Sequence, residues 1–224
     1  MVNSKLCKSQ QTQQRIMDVY LDTMREKHWD KISVRELCDK LSISRATFYQ
    51  YYMDLYDLLD RVEEPLLQEL LRGYQQLASM EQHYFSVNSF DGSCNLACPP
   101  QFSYWFQFCQ QHERAMGALL GPCGEPHFIS KVRTIIQDQL IQMMERDKMP
   151  NDVIRTYFLE ALVALLIQGA QGWLIFPSDR RPDVQLVLNP INMIRIGGCY
   201  AHYQAFCNCR PPQGKQKISS AQQI

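Results

Sequence analysis

Hydrophobic residues along this chain recur mainly at the spacing of three and four residues that amphipathic helices require. The clearest case begins at Val34, where apolar side chains follow at i+3, i+4 and i+7. The same spacing predicts further helices over 54–79, 101–119, 127–147, 152–176 and 189–207. No alternating strand pattern of useful length and no internal repeat occurs, so the predicted fold class is all-α.

Glycine and proline positions divide these helices. Residues 86–100 are predicted to form a loop, 121–126 a turn, and 149–151 a break. Pro65 would be tolerated by a kink or a restart of its helix. Pro190 would stand in the first turn of the last helix, where its missing N–H is not needed. The polar tail 210–224 is predicted to be disordered.

One stretch, residues 33–52, has the sequence SVRELCDKLSISRATFYQYY and carries most of the functional information. Ser33 can cap a first helix, and Glu36 three residues later completes a capping box. After a turn at 41–43, Ser44 can cap a second helix. This layout is typical of a helix-turn-helix whose second helix enters the DNA major groove. The alternative is an ordinary amphipathic hairpin within an all-helical core.

The second helix supplies the chemistry that DNA recognition needs. Its buried side should consist of Thr47 or Phe48 with Tyr51 or Tyr52. Its exposed side would carry Arg45, Ala46, Tyr49 and Gln50. Arginine and glutamine can bond guanine and adenine edges bidentately, and a tyrosine hydroxyl can donate to phosphate. The predicted DNA-contacting residues are Ser33, Val34, Arg35, Ser44, Arg45, Ala46, Thr47, Tyr49, Gln50 and Tyr51.

Residues 33–58 resemble the motif of TetR-family bacterial transcriptional regulators, in which T-V-R-x-I-A is followed by G-V-S-x-x-T-L-Y-x-Y-F. The preceding segment, 15–29, is similar to that family's first helix. Two departures stand out: Ser42 replaces the turn glycine, and Leu55 replaces a lysine that touches phosphate in the family. Loss of that cation should weaken phosphate binding or move it to another residue.

A second, less specific resemblance lies at 119–128, LLGPCGEPHF. Some branches of the family carry L-L-G-x-N-G-D-P-x-F between two ligand-domain helices, so Cys123 and Glu125 take the Asn and Asp positions. The family resemblance implies a three-helix DNA-binding domain over 1–56 and a helical ligand-binding and dimerisation domain over 57–209. It also implies a homodimer in which 152–176 and 189–207 pair with a second subunit.

Charge distribution agrees with DNA binding although the net charge is zero. Residues 1–53 hold nine Lys plus Arg and six Asp plus Glu, whereas the rest of the chain holds 14 and 17. The basic excess therefore lies on the helix-turn-helix end. Lys5 and Lys8, on a polar arm, could add phosphate contacts. The first 30 residues lack the apolar core of a secretory signal, so a cytoplasmic protein is expected.

The apolar stretch 157–176 raises the alternative of a membrane span. It contains Glu160, Gln168 and Gln171, which are costly in lipid. It also contains small residues that permit close helix approach: Ala161, Ala164, Gly169 and Gly172. A buried helix or a dimer-interface helix is therefore the preferred interpretation.

Nine cysteines suggest a metal site or redox switch as one hypothesis. The candidates for it are Cys94, Cys98, Cys109, His112, Cys123 and His127. Their spacing matches no standard zinc pattern, so buried thiols are preferred and neither a metal nor a cofactor is assigned. An aromatic and methionine cluster, Phe102, Trp105, Phe106, Cys109, Met116 and Met143, is predicted to line a pocket for an apolar or weakly cationic ligand. It could equally be packed core.

No Gly-rich phosphate loop, G-x-S-x-G or H-E-x-x-H motif occurs, so no enzyme is predicted. The sequence instead predicts a transcriptional regulator. It would act as a dimeric repressor on a palindromic operator, with half-sites about 34 Å apart, and be released by an unidentified small-molecule or protein effector. The alternative is a helical adaptor that binds a protein partner and has weak or lost operator binding, which Ser42 and Leu55 keep open.

Overall fold

A computed structural model describes residues 8–79, 97–147 and 149–208, with side chains described as far as residue 198. Within those ranges all regular structure is helical, which confirms the all-α fold class. A short 3-10 turn covers Trp29–Lys31. The helices are α1 (Lys8–Glu26), α2 (Val34–Leu41), α3 (Arg45–Tyr49), α4 (Leu55–Ala78), α5 (Pro100–Gln111), α6 (Glu113–Leu119), α7 (Pro126–Arg146), α8 (Val153–Leu174) and α9 (Val184–Asn208).

Two predicted helix boundaries were wrong. The helix expected over 101–119 is two helices, because the chain turns at His112, where φ is −108°. The His112 ring packs on Phe108, and its Nε2 lies 2.9 Å from the Glu69 carboxylate. Helix α9 begins at Val184, so Pro190 lies inside the helix and not in its first turn. Pro190 is exposed in the single chain.

Several sequence predictions fall on residues outside the described ranges. They are most of the 86–100 loop, Cys94, Lys5 and the tail 210–224. Lys8 begins helix α1. Helix α4 runs across residue 56 without a break, and the division into domains there stays a prediction.

The N-terminal helices pack around a small apolar centre. Each of these helices contributes a buried side chain to it: Tyr20 from α1, Leu37 from α2, Phe48 from α3 and Leu58 from α4. The same core continues into the second half of the molecule, where α5, α7 and α9 pack against α8. At its middle the buried Trp105 indole donates a hydrogen bond of 2.9 Å to the carbonyl of Leu166.

Helix α8 is long and apolar enough, by length and composition alone, to cross a membrane. A core helix satisfies the same criteria. One side of α8 packs on α5, α7 and α9, and it carries Arg155, which is buried and donates to the Met149 carbonyl at 3.2 Å. Its other side is exposed. These contacts fit the core-helix interpretation.

Helix α1 joins the two halves through α6. The Arg114 guanidinium lies 2.9 Å from Asp18 and 3.4 Å from Asp22. In return, Arg25 donates to the carbonyls of Glu113 and Arg114 at 3.2 and 3.4 Å. A Cβ at Gly117 would lie 2.7 Å from the Arg25 guanidinium, so glycine there lets the arginine lie across α6.

Candidate DNA-binding surface

Helix α2 is fixed at its first residue by the predicted capping box. The Ser33 hydroxyl accepts the Glu36 backbone N–H at 3.2 Å. Lys27, 2.7 Å from the Glu36 carboxylate, is the main cause that lowers the Glu36 pKa, and the Ser33 backbone N–H lowers it further. The cap and the ion pair together hold the start of α2 against the end of α1.

The turn between α2 and α3 depends on Ser42. Its φ of 54° and ψ of 43° are left-handed, and it is the one non-glycine residue with positive φ in the described ranges. The Ile43 N–H then donates to the Cys38 carbonyl at 3.0 Å, which closes the helix end. A serine in this conformation costs about 1 kcal/mol relative to glycine.

Helix α3 begins at a second serine cap. The Ser44 hydroxyl accepts the Thr47 backbone N–H at 3.0 Å, and the two hydroxyl groups lie 2.9 Å apart. The helix ends at Tyr49, three residues before the end of the predicted motif. Of the four residues predicted for the buried side, Phe48 and Tyr52 are fully buried, and their ring centroids lie 5.6 Å apart.

The outer face of α3 consists of Arg45, Ala46, Tyr49 and Gln50. All four are exposed, and 55% of Tyr49 is accessible to solvent. No ion pair joins Arg45 to a residue of the described ranges. Its guanidinium is therefore available to a base edge or a phosphate group, both of which arginine binds bidentately.

The remaining predicted contacts divide into two groups. Ser33 and Arg35 are exposed at the start of α2, with Val34 half-buried between them. Arg35 lies 3.7 Å from Asp39, and both side chains are mostly exposed, so the pair competes weakly with a phosphate. Tyr51 lies beyond α3, half-buried, and lines a cleft between α1 and α4. The DNA-contacting roles of all these residues stay predictions.

The start of α4, where the resembled family has its lysine, is occupied by carboxylates. Asp54 accepts the backbone N–H groups of Tyr56 and Asp57 at 2.8 and 2.9 Å. Asp57 accepts the Met53 N–H, and Arg61 chiefly lowers the Asp57 pKa. Leu55 is half-buried between them. The Asp-x-x-Asp spacing before an apolar run was the signal for this cap, and the sequence interpretation missed it.

The predicted pocket residues all lie in the packed core. Phe102, Trp105, Phe106, Cys109, Met116 and Met143 are each at most 4% exposed. Met116 also lines a cleft of about 490 Å³ beside α6. The other five show no opening among the described clefts, and their ligand-binding role stays a prediction.

Cys38, Cys98, Cys109 and Cys123 are free. Burial raises the pKa of the Cys109 thiol well above its ordinary value, which keeps it protonated and inert. No group of three His, Cys, Asp or Glu side chains suitable for a metal occurs among the described residues.

No family model matches this sequence, and no curated protein matches it. Among solved structures, the chain is similar to a TetR-family transcriptional regulator from Streptomyces coelicolor. The two share 19% sequence identity over 92% of each chain, with a TM-score of 0.48.

Proposed function

We propose that this protein is a DNA-binding transcriptional regulator that acts as a dimer. The observation that carries the proposal is the outer face of α3. A serine-capped helix presents an arginine, a tyrosine and a glutamine to solvent, whereas its buried residue Phe48 faces the core and α2 packs against the helix. An arginine without an ion partner and a neighbouring glutamine match the donor and acceptor pattern of base edges in the major groove.

The experiment is selection of duplex DNA from a random library with the purified full-length protein. We expect a palindromic sequence whose half-sites are separated by about one helical turn. A matched library round with the Arg45→Ala, Gln50→Ala double variant should lose base preference and retain weak, salt-sensitive binding. A folded wild-type protein that enriches no sequence would contradict the proposal.

The proposed dimer rests on exposed apolar side chains along α8 and α9. On α8 and at its C-cap they are Ile154, Tyr157, Ala161, Gly172 and Ile175, and the exposed Gln168 lies between the last two and the first three. On α9 they are Leu186, Pro190, Met193 and Gly197. Exposed apolar residues on two packed helices form the kind of surface that a second copy covers in a four-helix interface.

The small residues of α8 have two separate uses. A Cβ at Gly169 would lie 3.2 Å from Ile191 and 3.4 Å from Phe106, so Gly169 serves packing within the chain. A Cβ at Gly172 would meet nothing within 4 Å. Gly172 is therefore free for close approach of another helix, which supports placing the dimer interface on this side of α8.

We further propose that the dimer is a repressor and that an effector releases it from its operator. Release requires an effector that favours a subunit arrangement in which the two α3 helices no longer match successive major grooves. The α1–α6 contact supports this mechanism, because movement of α6 would be transmitted to α1 through Arg114 and its partners Asp18 and Asp22.

A helical adaptor is the second candidate, and the start of α4 favours it. Carboxylates stand where a phosphate-binding cation would be useful, and the adjacent Met53 and Tyr56 are 79% and 64% exposed. Such a surface suits a protein partner better than a polyanion. The duplex selection separates the two candidates, because an adaptor would give no enriched sequence.

A further inference from the structure

A cleft of about 490 Å³ lies where the two halves of the molecule meet. Its walls come from α6 and the turn after it, from the first turn of α7, and from the C-terminal end of α8; His28 closes it on the side of α1. A second cleft of about 260 Å³ adjoins it, shares Gly117 and Leu174 with it, and reaches Met24 and Arg25 of α1. The volume of the larger cleft is within the range of small-molecule sites.

The lining is mostly apolar and includes Met116, Leu120, Ile129 and Leu174. One polar group is fixed in it. The Gln171 Nε2 donates to the Leu120 carbonyl at 2.8 Å, which orients the amide. No described residue donates to its Oε1, so this oxygen is an acceptor available to an occupant.

We propose that this interdomain cleft, and not the aromatic cluster of α5, is a ligand site. It takes a small, uncharged, largely apolar molecule that carries one N–H or O–H donor for Gln171 Oε1. The two basic side chains near the cleft already have partners. His28 Nδ1 lies 2.6 Å from Asp30, and Arg25, in the adjoining cleft, donates to the carbonyls of Glu113 and Arg114. Apolar walls with one oriented polar group favour a neutral aromatic amine or alcohol.

The cleft also has the position that regulation requires. An occupant touches His28 at the end of α1 and, across the cleft, Gly117 on α6. Gly117 is the residue over which Arg25 lies. Binding therefore depends on the arrangement of α1 relative to α6, and by linkage it alters DNA affinity. This regulatory part rests on the proposed function, whereas the binding site itself does not.

The test uses N-phenyl-1-naphthylamine, a neutral fluorescent probe with one N–H, and the full-length protein. We expect saturable binding of one probe per chain. Ile129→Trp, which fills the cleft from α7, should weaken binding at least about ten-fold. Ile135→Trp is the matched control, because Ile135 is equally half-buried on the same helix and does not line the cleft. Equal affinities in these two variants would overturn the site.

A second pair of measurements tests the role of Gln171. Wild type should bind the probe about five-fold more tightly than its N-methyl analogue, which has no donor. Gln171→Met should abolish that difference, whereas a change in packing alone would weaken both ligands equally. An unchanged preference in Gln171→Met overturns the assignment of the acceptor. Probe binding that disappears as protein concentration rises means that a second copy covers the cleft, and this also overturns the proposal.

The last measurement is affinity for the duplex enriched by selection. Saturating probe should lower it at least about three-fold in wild type and in Ile135→Trp, but not in Ile129→Trp. Unchanged affinity in wild type overturns the regulatory part and leaves the site standing. Failure to enrich any duplex counts against the proposed function, while the probe titrations still decide whether the cleft binds ligands.

Discussion

The exposed face of α3 and the exposed face of α8 and α9 carry different kinds of side chain. The outer face of α3 presents Arg45, Tyr49 and Gln50, whose polar groups can donate hydrogen bonds. The outer face of α8 and α9 presents large apolar side chains, among them Tyr157, Leu186 and Met193. The first surface suits a partner that supplies acceptors and negative charge. The second suits a partner that excludes water.

The comparison shows how surfaces for different partners can be recognised in one chain. A DNA-facing helix needs unpaired donors, and most other cations of the first half already have carboxylate partners, as Lys27 has Glu36. A self-association face needs apolar side chains instead, because burying polar or charged groups in the interface would cost free energy. A single substitution on either surface can therefore test its proposed role.

The largest expected effect is on the apolar face. Gly172→Glu places a charge where the monomer has open space, so the chain should fold, but dimerisation would bury that charge without a partner. We expect the dimer dissociation constant to rise by about 100-fold or more, measured by sedimentation. Gly172→Ala is the control and should remain dimeric. Ala164→Glu would not separate dimerisation from folding, because Ala164 is half-buried within the monomer.

A wild-type protein that sediments as a monomer at micromolar concentration would contradict the proposed interface. So would a Gly172→Glu protein that remains dimeric.

The next effect is on α3. Arg45→Ala should cost about 1–3 kcal/mol of DNA-binding free energy and relax the preference at one base position, if Arg45 reads guanine. Tyr49→Phe should instead weaken binding to every sequence, because its hydroxyl would contact phosphate. Affinities measured on the selected duplex and on single-base variants distinguish the two roles. Unchanged affinity and specificity in both variants would remove both assignments.

A smaller gain is expected at the start of α4. Leu55→Lys restores a cation beside the backbone of the bound duplex, although Asp54 and Asp57 nearby partly neutralise it. Affinity for all duplexes should rise about three-fold at low salt, and the dependence on salt should steepen by about one ion. Leu55→Met should change neither. A Leu55→Lys protein with the salt dependence of wild type would show that phosphate does not approach α4.

The smallest effect concerns stability. Ser42→Gly removes the left-handed strain of the turn at the expense of a more flexible unfolded chain. We expect the free energy of unfolding to rise by about 0.5–1 kcal/mol in urea titrations. Ser42→Ala, which keeps a Cβ, should give no gain. A Ser42→Gly variant less stable than wild type would mean that the serine side chain contributes an interaction beyond the turn geometry.

Sequence reasoning succeeded where local chemistry determines structure. The capping residues Ser33 and Ser44 each determine a helix start by a contact three residues away, and Ser42 stands where the turn requires positive φ. Such signals lie within one turn of chain, so a single sequence contains them.

It failed where distant contacts decide. At the break, His112 contacts Glu69, 43 residues earlier, and no local pattern indicates this contact. Pro190 marks a helix start by local rules, but α9 begins six residues earlier, and packing against α8 stabilises it. The ligand-binding role of the aromatic and methionine cluster stays a prediction, because a pocket lining and a packed core both require buried apolar side chains. The cleft by Gln171 was missed because its walls come from three separate segments.

The contact between α1 and α6 bears on how such a protein could be recombined. A fragment exchanged at residue 56 would carry Asp18, Asp22 and Arg25 away from the α6 residues that receive them. A hybrid regulator built from this chain must therefore retain Arg114 and Gly117 or replace them as a matched set. The boundary between two exchangeable parts is therefore the contact surface of α6 with α1, and no single position in the sequence marks it.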